Sequence, residues 1–236
     1  MLKKIRLIEV SKNRMLYSLP SLEMLSDDFI DGVDWPGDKD TLAFQISKHD
    51  TKRREPIADM VSLKKYVCRL NYLADKKELP HKKMAAELHG ISLEPFKTLS
   101  ERRKTEILTH KKYSISRLQY STSSNRAEQK EYFKNWLTLK NAISIRKNGK
   151  VVGLLTLCKM TGKTMVKPLH WITWAWIDSR LNKDERRTAH VLLGRWLFEN
   201  SSKYVGGSVH AANIRSQKWC LKMGLRPVRI FFARRG

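Results

Sequence analysis

The chain has 236 residues and a formal net charge of +24, from 47 Lys and Arg against 23 Asp and Glu, and 41% of it is hydrophobic. That apolar share is enough for a core and excludes wholesale disorder, and the length suits two unequal domains. No apolar run approaches the ~18 residues of a membrane span, and Met1 to Val10 lack the apolar stretch of a signal peptide, so a cytoplasmic protein with no membrane attachment is expected. Cys68, Cys158 and Cys220 are odd in number and widely spaced, which argues against a disulfide framework or a zinc knuckle; no metal site is expected.

The charge is unevenly placed. Residues 1–60 hold ten Lys and Arg against eleven Asp and Glu, residues 61–111 twelve against six, and residues 112–236 twenty-five against six. So dense a positive charge destabilises a compact body by self-repulsion, and phosphates relieve it while releasing their own condensed counterions. Nucleic acid is the expected partner, with an acidic protein or a membrane surface as the rival.

In chain order, Lys3 to Val10 alternates weakly as a strand, and Pro20, Gly32, Pro36 and Gly37 punctuate a loop-rich acidic stretch. Met60, Leu63, Val67, Leu70 and Leu73 recur at helical spacing, which predicts an amphipathic helix over Ile57 to Ala74. His81 to Arg103 reads as a helix-turn-helix: Ala86 lets two helices cross closely, Gly90 supplies the turn, and Ser92 caps a second helix that tolerates Pro95 in its first turn. Short helical hairpins share that pattern, and Glu94 at the head of a recognition helix would face phosphates. Residues 1–111 thus read as a mostly helical N-terminal extension.

From residue 112 strands alternate with helices. Tyr113 to Gln119 reads as a strand and Asn125 to Leu137 as a helix. Ala142 to Arg146 and Val151 to Cys158 form a hairpin turned by Asn148 and Gly149. Trp171 to Ile177 is a nearly all-apolar and therefore central strand, and its Trp171, Trp174 and Trp176 suit either a core or a stacking surface for bases. A helix over Lys183 to Glu199, a strand over Val205 to His210, a helix over Asn213 to Met223 closed by Gly224, and a strand over Val228 to Ala233 follow. The fold class is α/β, a mixed sheet flanked by helices.

The segment Asn213, Ile214, Arg215, Ser216, Gln217, Lys218, Trp219, Cys220, Leu221, Lys222, Met223, Gly224, Leu225, with this element order, resembles the end of the GNAT superfamily of CoA-dependent N-acyltransferases. The likeness covers Tyr113 to Ala233. It implies two neighbouring strands, here Trp171 to Ile177 and Val205 to His210, that part to admit the pantetheine of acetyl-CoA or another acyl-CoA. It also implies a pyrophosphate seat on backbone N–H groups at the start of the following helix, which points to Arg186, Arg187, Thr188 and Ala189, with Asn213 and Ser216 on the next helix. The family's glycines at that seat are absent here, and Cys220 stands where the family's Tyr protonates the departing thiolate. Asp178, His170 and His210 are the candidate bases. Each of these also suits a purely structural role.

Arg226, Arg229, Arg234 and Arg235 alternate with apolar residues on the last strand and are the expected phosphate contacts, although cations on an edge strand also guard against aggregation. The chain ends one strand short of the family's closing hairpin, so a second copy of the chain in a homodimer, or the N-terminal strand, is expected to complete that edge. The functional expectation is a GNAT-fold transferase acting on an amine of DNA, RNA or a group they carry, including the phage Mom type and aminoacyl-tRNA acylation. The alternatives are a catalytically degenerate fold that binds nucleic acid and, third, a protein N-acetyltransferase.

Overall fold

The structure is a computed structural model that describes residues 7–11, 14–19, 21–33, 41–47, 50–52, 54–57, 66–80, 87–95, 100, 102, 142–160 and 166–234. The strand over 113–119, the helix over 125–137, residues 81–86 of the helix-turn-helix reading and Arg235 lie outside the described residues. The chain divides into two compact units, residues 1–73 with 207–236, and residues 74–206.

The first unit carries β1 (Leu7–Ser11), β2 (Arg14–Ser18), α1 (Asp27–Asp31), β3 (Thr41–Gln45), most of β4 (Tyr66–Asp75), α3 (Ile214–Lys222) and β10 (Arg226–Arg234). Its strand order is β1-β2-β3-β10-β4, with β2 parallel to β3 and β10 antiparallel to both of its neighbours. Phe44 and Phe232 meet edge-on at 5.8 Å, and Tyr17 and Phe29 pack on Phe44 at 5.9 and 5.8 Å. Burying each such ring stabilises the fold by about 2 kcal/mol.

One expectation fails in this unit, and another resolves toward the N-terminal one of its two alternatives. The helix over 57–74 is not formed across 66–75, which is the extended strand β4. Cys68, Leu70, Tyr72 and Ala74 are all buried, a period of two that outweighs the helical spacing of Val67, Leu70 and Leu73, and Tyr and Val favour a pleated surface. Nor is β10 an open edge awaiting a second copy of the chain. Phe231 pairs with Ala43 on one side and Arg69 on the other, so β3 and β4 of the N-terminal part complete the sheet.

The second unit holds β5 (Ile91–Pro95), β6 (Ala142–Lys147), β7 (Lys150–Lys159), β8 (Leu169–Ile177) and α2 (Lys183–Asn200), in the strand order β8-β7-β6-β5, with antiparallel pairing throughout. Asn148 (φ 48°) and Gly149 (φ 77°) turn the β6–β7 hairpin as their dipeptide predicts. The helix-turn-helix is overturned here. His89 and Gly90 make a left-handed turn, and Ile91 to Pro95 then runs extended along β6. Ile91 and Leu93 oppose Lys147 and Ile145, an alternation that a recognition helix cannot offer, and Pro95 ends the strand, where a missing N–H costs least. The N-terminal part is therefore strand-rich rather than helical among the described residues.

β9 (Tyr204–His210) leads from the second unit into the first. It starts beside the start of β8, where Tyr204 N–H donates to Pro168 O at 3.1 Å. The run β6-β7-β8-α2-β9-α3-β10 is the order that the GNAT resemblance implies, with helices flanking a mixed sheet.

Candidate functional site

The trailing end of β8 is where the resemblance places the chemistry. Asp178 follows the strand and is 3% exposed. Its N–H donates to Val152 O at 2.7 Å, and both carboxylate oxygens accept from Arg180: Nε at 3.2 and 3.1 Å, NH2 at 2.8 Å. The Arg180 backbone N–H adds a fourth bond at 3.0 Å. So firmly held a carboxylate fixes the turn into α2 and is poorly placed to take a proton from a substrate amine.

α2 starts at Lys183, five residues after Asp178, and its first turn is closed by its own side chains. Asn182 Oδ1 accepts from Asp184 N–H at 3.0 Å and Glu185 N–H at 2.9 Å, while Glu185 Oε2 accepts from Asn182 N–H at 2.9 Å. This reciprocal capping box uses the donors that a helix N-terminus otherwise offers an anion. Arg186 N–H already bonds Asn182 O. The Glu185 carboxylate occupies the positive end of the helix and also meets Lys147 Nζ at 2.5 Å; Lys147 first, and the Asn182 N–H second, hold its carboxyl below the usual carboxylate range.

The residues expected to seat the cofactor are mostly committed elsewhere. Thr188 is buried and donates to Glu87 O at 3.2 Å, Ala189 is fully buried, and Arg186 donates to Ser179 O at 3.3 Å. Arg187 alone of the four is exposed. A diphosphate at this helix start would have to displace a bound carboxylate and approach side chains where the family has glycine. The residues present do not fit the pyrophosphate of acyl-CoA.

The remaining candidates are spread out. His170 lies eight residues before Asp178 on one extended strand, roughly 26 Å away, so the two do not share a substrate. Its Nδ1 accepts from Ser202 N–H at 2.7 Å and lies 2.7 Å from Ser202 Oγ; burial first, and Lys159 second, lower its pKa from the ordinary histidine value. It ties the start of β8 to the end of α2. In the first unit, His210 Nδ1 accepts from Ala212 N–H at 3.1 Å, and Asn213 caps α3 by accepting from Ser216 N–H at 3.0 Å. Cys220 is 3% exposed and burial pushes its thiol up to about 12, so it packs as a small apolar group. Arg226 donates to Leu221 O at 3.3 Å and Leu225 O at 3.5 Å, fastening the end of α3. Arg229 pairs with Gln45 of β3 on one side and Asn71 of β4 on the other, so β10 is an inner strand at that position rather than an edge.

Sequence reasoning missed Gln217. Fully buried, its Oε1 accepts from Ile57 N–H at 2.8 Å and Tyr72 Oη at 3.0 Å, and its Nε2 donates to Ala211 O at 2.6 Å. It also missed Glu185 with Lys147, and Arg146, which is held by Glu94 and the Gly149 carbonyl. The Asn182-to-Glu185 spacing was the available signal for the place of Glu185 in the cap of α2, though not for its pairing with Lys147.

No family model and no curated protein matches the chain. Solved structures similar to it include a tandem GNAT protein from the clavulanic acid biosynthesis pathway, at 12% identity over 84% of this chain and 65% of that one, with a TM-score of 0.49. A GCN5-related N-acetyltransferase from Sphaerobacter thermophilus is similar at 12% identity over 98% and 76%, TM-score 0.47. A functionally unknown conserved protein from Staphylococcus epidermidis is similar at 11% identity over 95% and 85%, TM-score 0.48. The fold is GNAT-like on its own strand order and on the Asn213 turn that opens α3. Among the described residues no helix is long and apolar enough to cross a membrane.

Proposed function

We propose that this chain is a GNAT-fold protein that grips nucleic acid through its phosphates and does not work by seating acyl-CoA at α2. The observation that carries this reading is the closed start of α2: Asn182 and Glu185 fill the anion seat from within. The net charge of +24 supplies the other half, because a surface so basic gains from meeting phosphates.

Two measurements test it together. Calorimetry with acetyl-CoA is expected to give no binding heat. Filter binding of duplex DNA and of hairpin RNA is expected to give affinities that fall steeply with salt. Tight acetyl-CoA binding, or nucleic-acid binding indifferent to salt, refutes it.

A second reading is a group transferase acting on an amine of nucleic acid, with the donor held away from α2. The preserved GNAT order and the Asn213 turn favour it. A new nucleoside mass in cells expressing the chain, lost when His210 is replaced by Ala, would raise it above the first. A protein N-acetyltransferase ranks last, since that chemistry draws on the cofactor that the start of α2 does not fit.

A further inference from the structure

The leading end of β8 gathers five lysines that the sequence scatters over more than a hundred positions. Lys159 ends β7 and pairs with His170. Lys167 precedes Pro168, whose carbonyl accepts from Tyr204 N–H at 3.1 Å, and this brings Lys203, the residue before Tyr204, alongside. Lys203 O in turn accepts from Lys76 N–H at 2.8 Å, which adds Lys76 and Lys77. Neighbouring strands stand ~4.8 Å apart, so cations at successive strand ends form a row rather than a point.

No ion pair engages any of the five among the described residues. Lys77, Lys159, Lys167 and Lys203 are exposed. Lys76 Nζ leans on the Phe198 ring at 4.9 Å and its carbonyl at 3.4 Å, and Lys203 Nζ sits 5.1 Å over the Tyr204 ring. The carboxylates nearest in sequence are Asp75, whose Oδ1 accepts from Lys77 N–H at 3.0 Å, and Glu78; Glu199 reaches back to Arg195 at 4.0 Å. His170, in the middle of the row, already feels Lys159. Five lysines held together with none of them in an ion pair among the described residues gain when an anion with repeated charges lies along them.

We propose that the row Lys76, Lys77, Lys159, Lys167 and Lys203 is the phosphate-binding surface for a nucleic-acid backbone, in place of the arginines of β10. The inference rests on the nucleic-acid reading above and gives it an address. A row of unpaired ammonium groups holds a backbone irrespective of base sequence, because each lysine is a point charge with freely turning donors.

The test compares two triple variants with equal loss of charge. One is Lys77→Gln, Lys159→Gln and Lys203→Gln. The other is Lys150→Gln, Lys183→Gln and Arg187→Gln, at the opposite end of the same unit. Each is titrated against a mixed-sequence DNA duplex and an RNA hairpin over a range of salt. The first variant is expected to lose at least about tenfold in affinity, with its log-log salt slope smaller by about 3, while the second stays close to wild type. Equal losses in both, or none in the first, overturn the assignment while leaving nucleic-acid binding intact. Failure of the wild type to bind either nucleic acid sinks the underlying reading instead, and binding to anionic lipid vesicles alone would name a different partner. Lysine acylation footprinting of the wild-type protein, read by mass spectrometry, needs no variant. Protection of Lys77, Lys159, Lys167 and Lys203 by bound duplex, with Lys150 and Lys183 still reactive, is expected, and the reverse pattern overturns the proposal.

Discussion

The two ends of β8 treat charge in opposite ways. At the trailing end Asp178 is held by Arg180, Glu185 by Lys147 and the cap of α2, and Glu94 by Arg146. At the leading end five lysines stand together with none of these devices. Pairing and capping at the first end occupy Asp178, Glu185 and the first backbone donors of α2, so these groups hold the loop and helix in place. Lack of pairing at the second end leaves binding capacity unspent. Residue type alone does not separate the two, since Lys147 and Lys159 look alike in sequence; what separates them is whether the topology brings a carboxylate within reach.

The contrast can be attacked from either end. The largest effect is expected from Gly153→Ala, because a Cβ there would lie 2.6 Å from the Trp176 carbonyl oxygen and 2.5 Å from Ile145 Cδ1. Overpacking against backbone costs about 2–3 kcal/mol, visible as a lower urea midpoint. Arg146→Ala comes next. It strips the partner from Glu94 and from the Gly149 carbonyl, and with Glu94 part-exposed the loss is about 2 kcal/mol in the same assay.

Glu185→Gln should show its effect in pH rather than in the midpoint at neutrality. Glu185 has a lowered carboxyl pKa, so its contribution is present above the ordinary value of about 4.3 and is lost as the pH falls through the folded value. The variant is expected to flatten the acid limb of stability against pH, and an unchanged limb would show that Lys147 does not stabilise the charged form. His170 has the same sign for a different reason. Its neutral form is favoured in the fold, so stability falls as the pH drops below about 6.5, and His170→Gln should remove that part of the slope. The smallest effect belongs to the Lys77, Lys159 and Lys203 triple. Stability should move by no more than about 0.5 kcal/mol per site, because exposed lysines outside any ion pair contribute little to the fold. A large loss of stability there would mean that the leading end is structural after all.

Elements with strong local signals were legible from sequence. Asn148-Gly149 announces its hairpin, and Asn213 and Gly224 bracket α3. β4 was not, because residues 66–75 satisfy two periods at once and only burial of Cys68, Leu70, Tyr72 and Ala74 decides between them. β5 was lost to Ser92, which resembles a helix cap yet stands on a strand opposite Arg146. The candidate site divides the same way. The Asn182–Glu185 box lies within one turn of chain and can be read, whereas Lys147 lies 38 residues before Glu185 and Lys76 lies 127 before Lys203, so strand order alone brings them together.

The interleaving of β10 between β3 and β4 also bears on how the protein is made. Residues 74–206 are continuous in the chain and can collapse as soon as they leave the ribosome. The strands before residue 74, although synthesised ahead of that unit, have a gap between them that residues 226–234 fill, and the Gln217 amide that joins Ile57, Tyr72 and Ala211 arrives almost as late. These earlier-made strands are therefore completed later than residues 74–206, and a copy cut short before residue 226 would be left with two unjoined sheet edges exposed to every neighbouring chain.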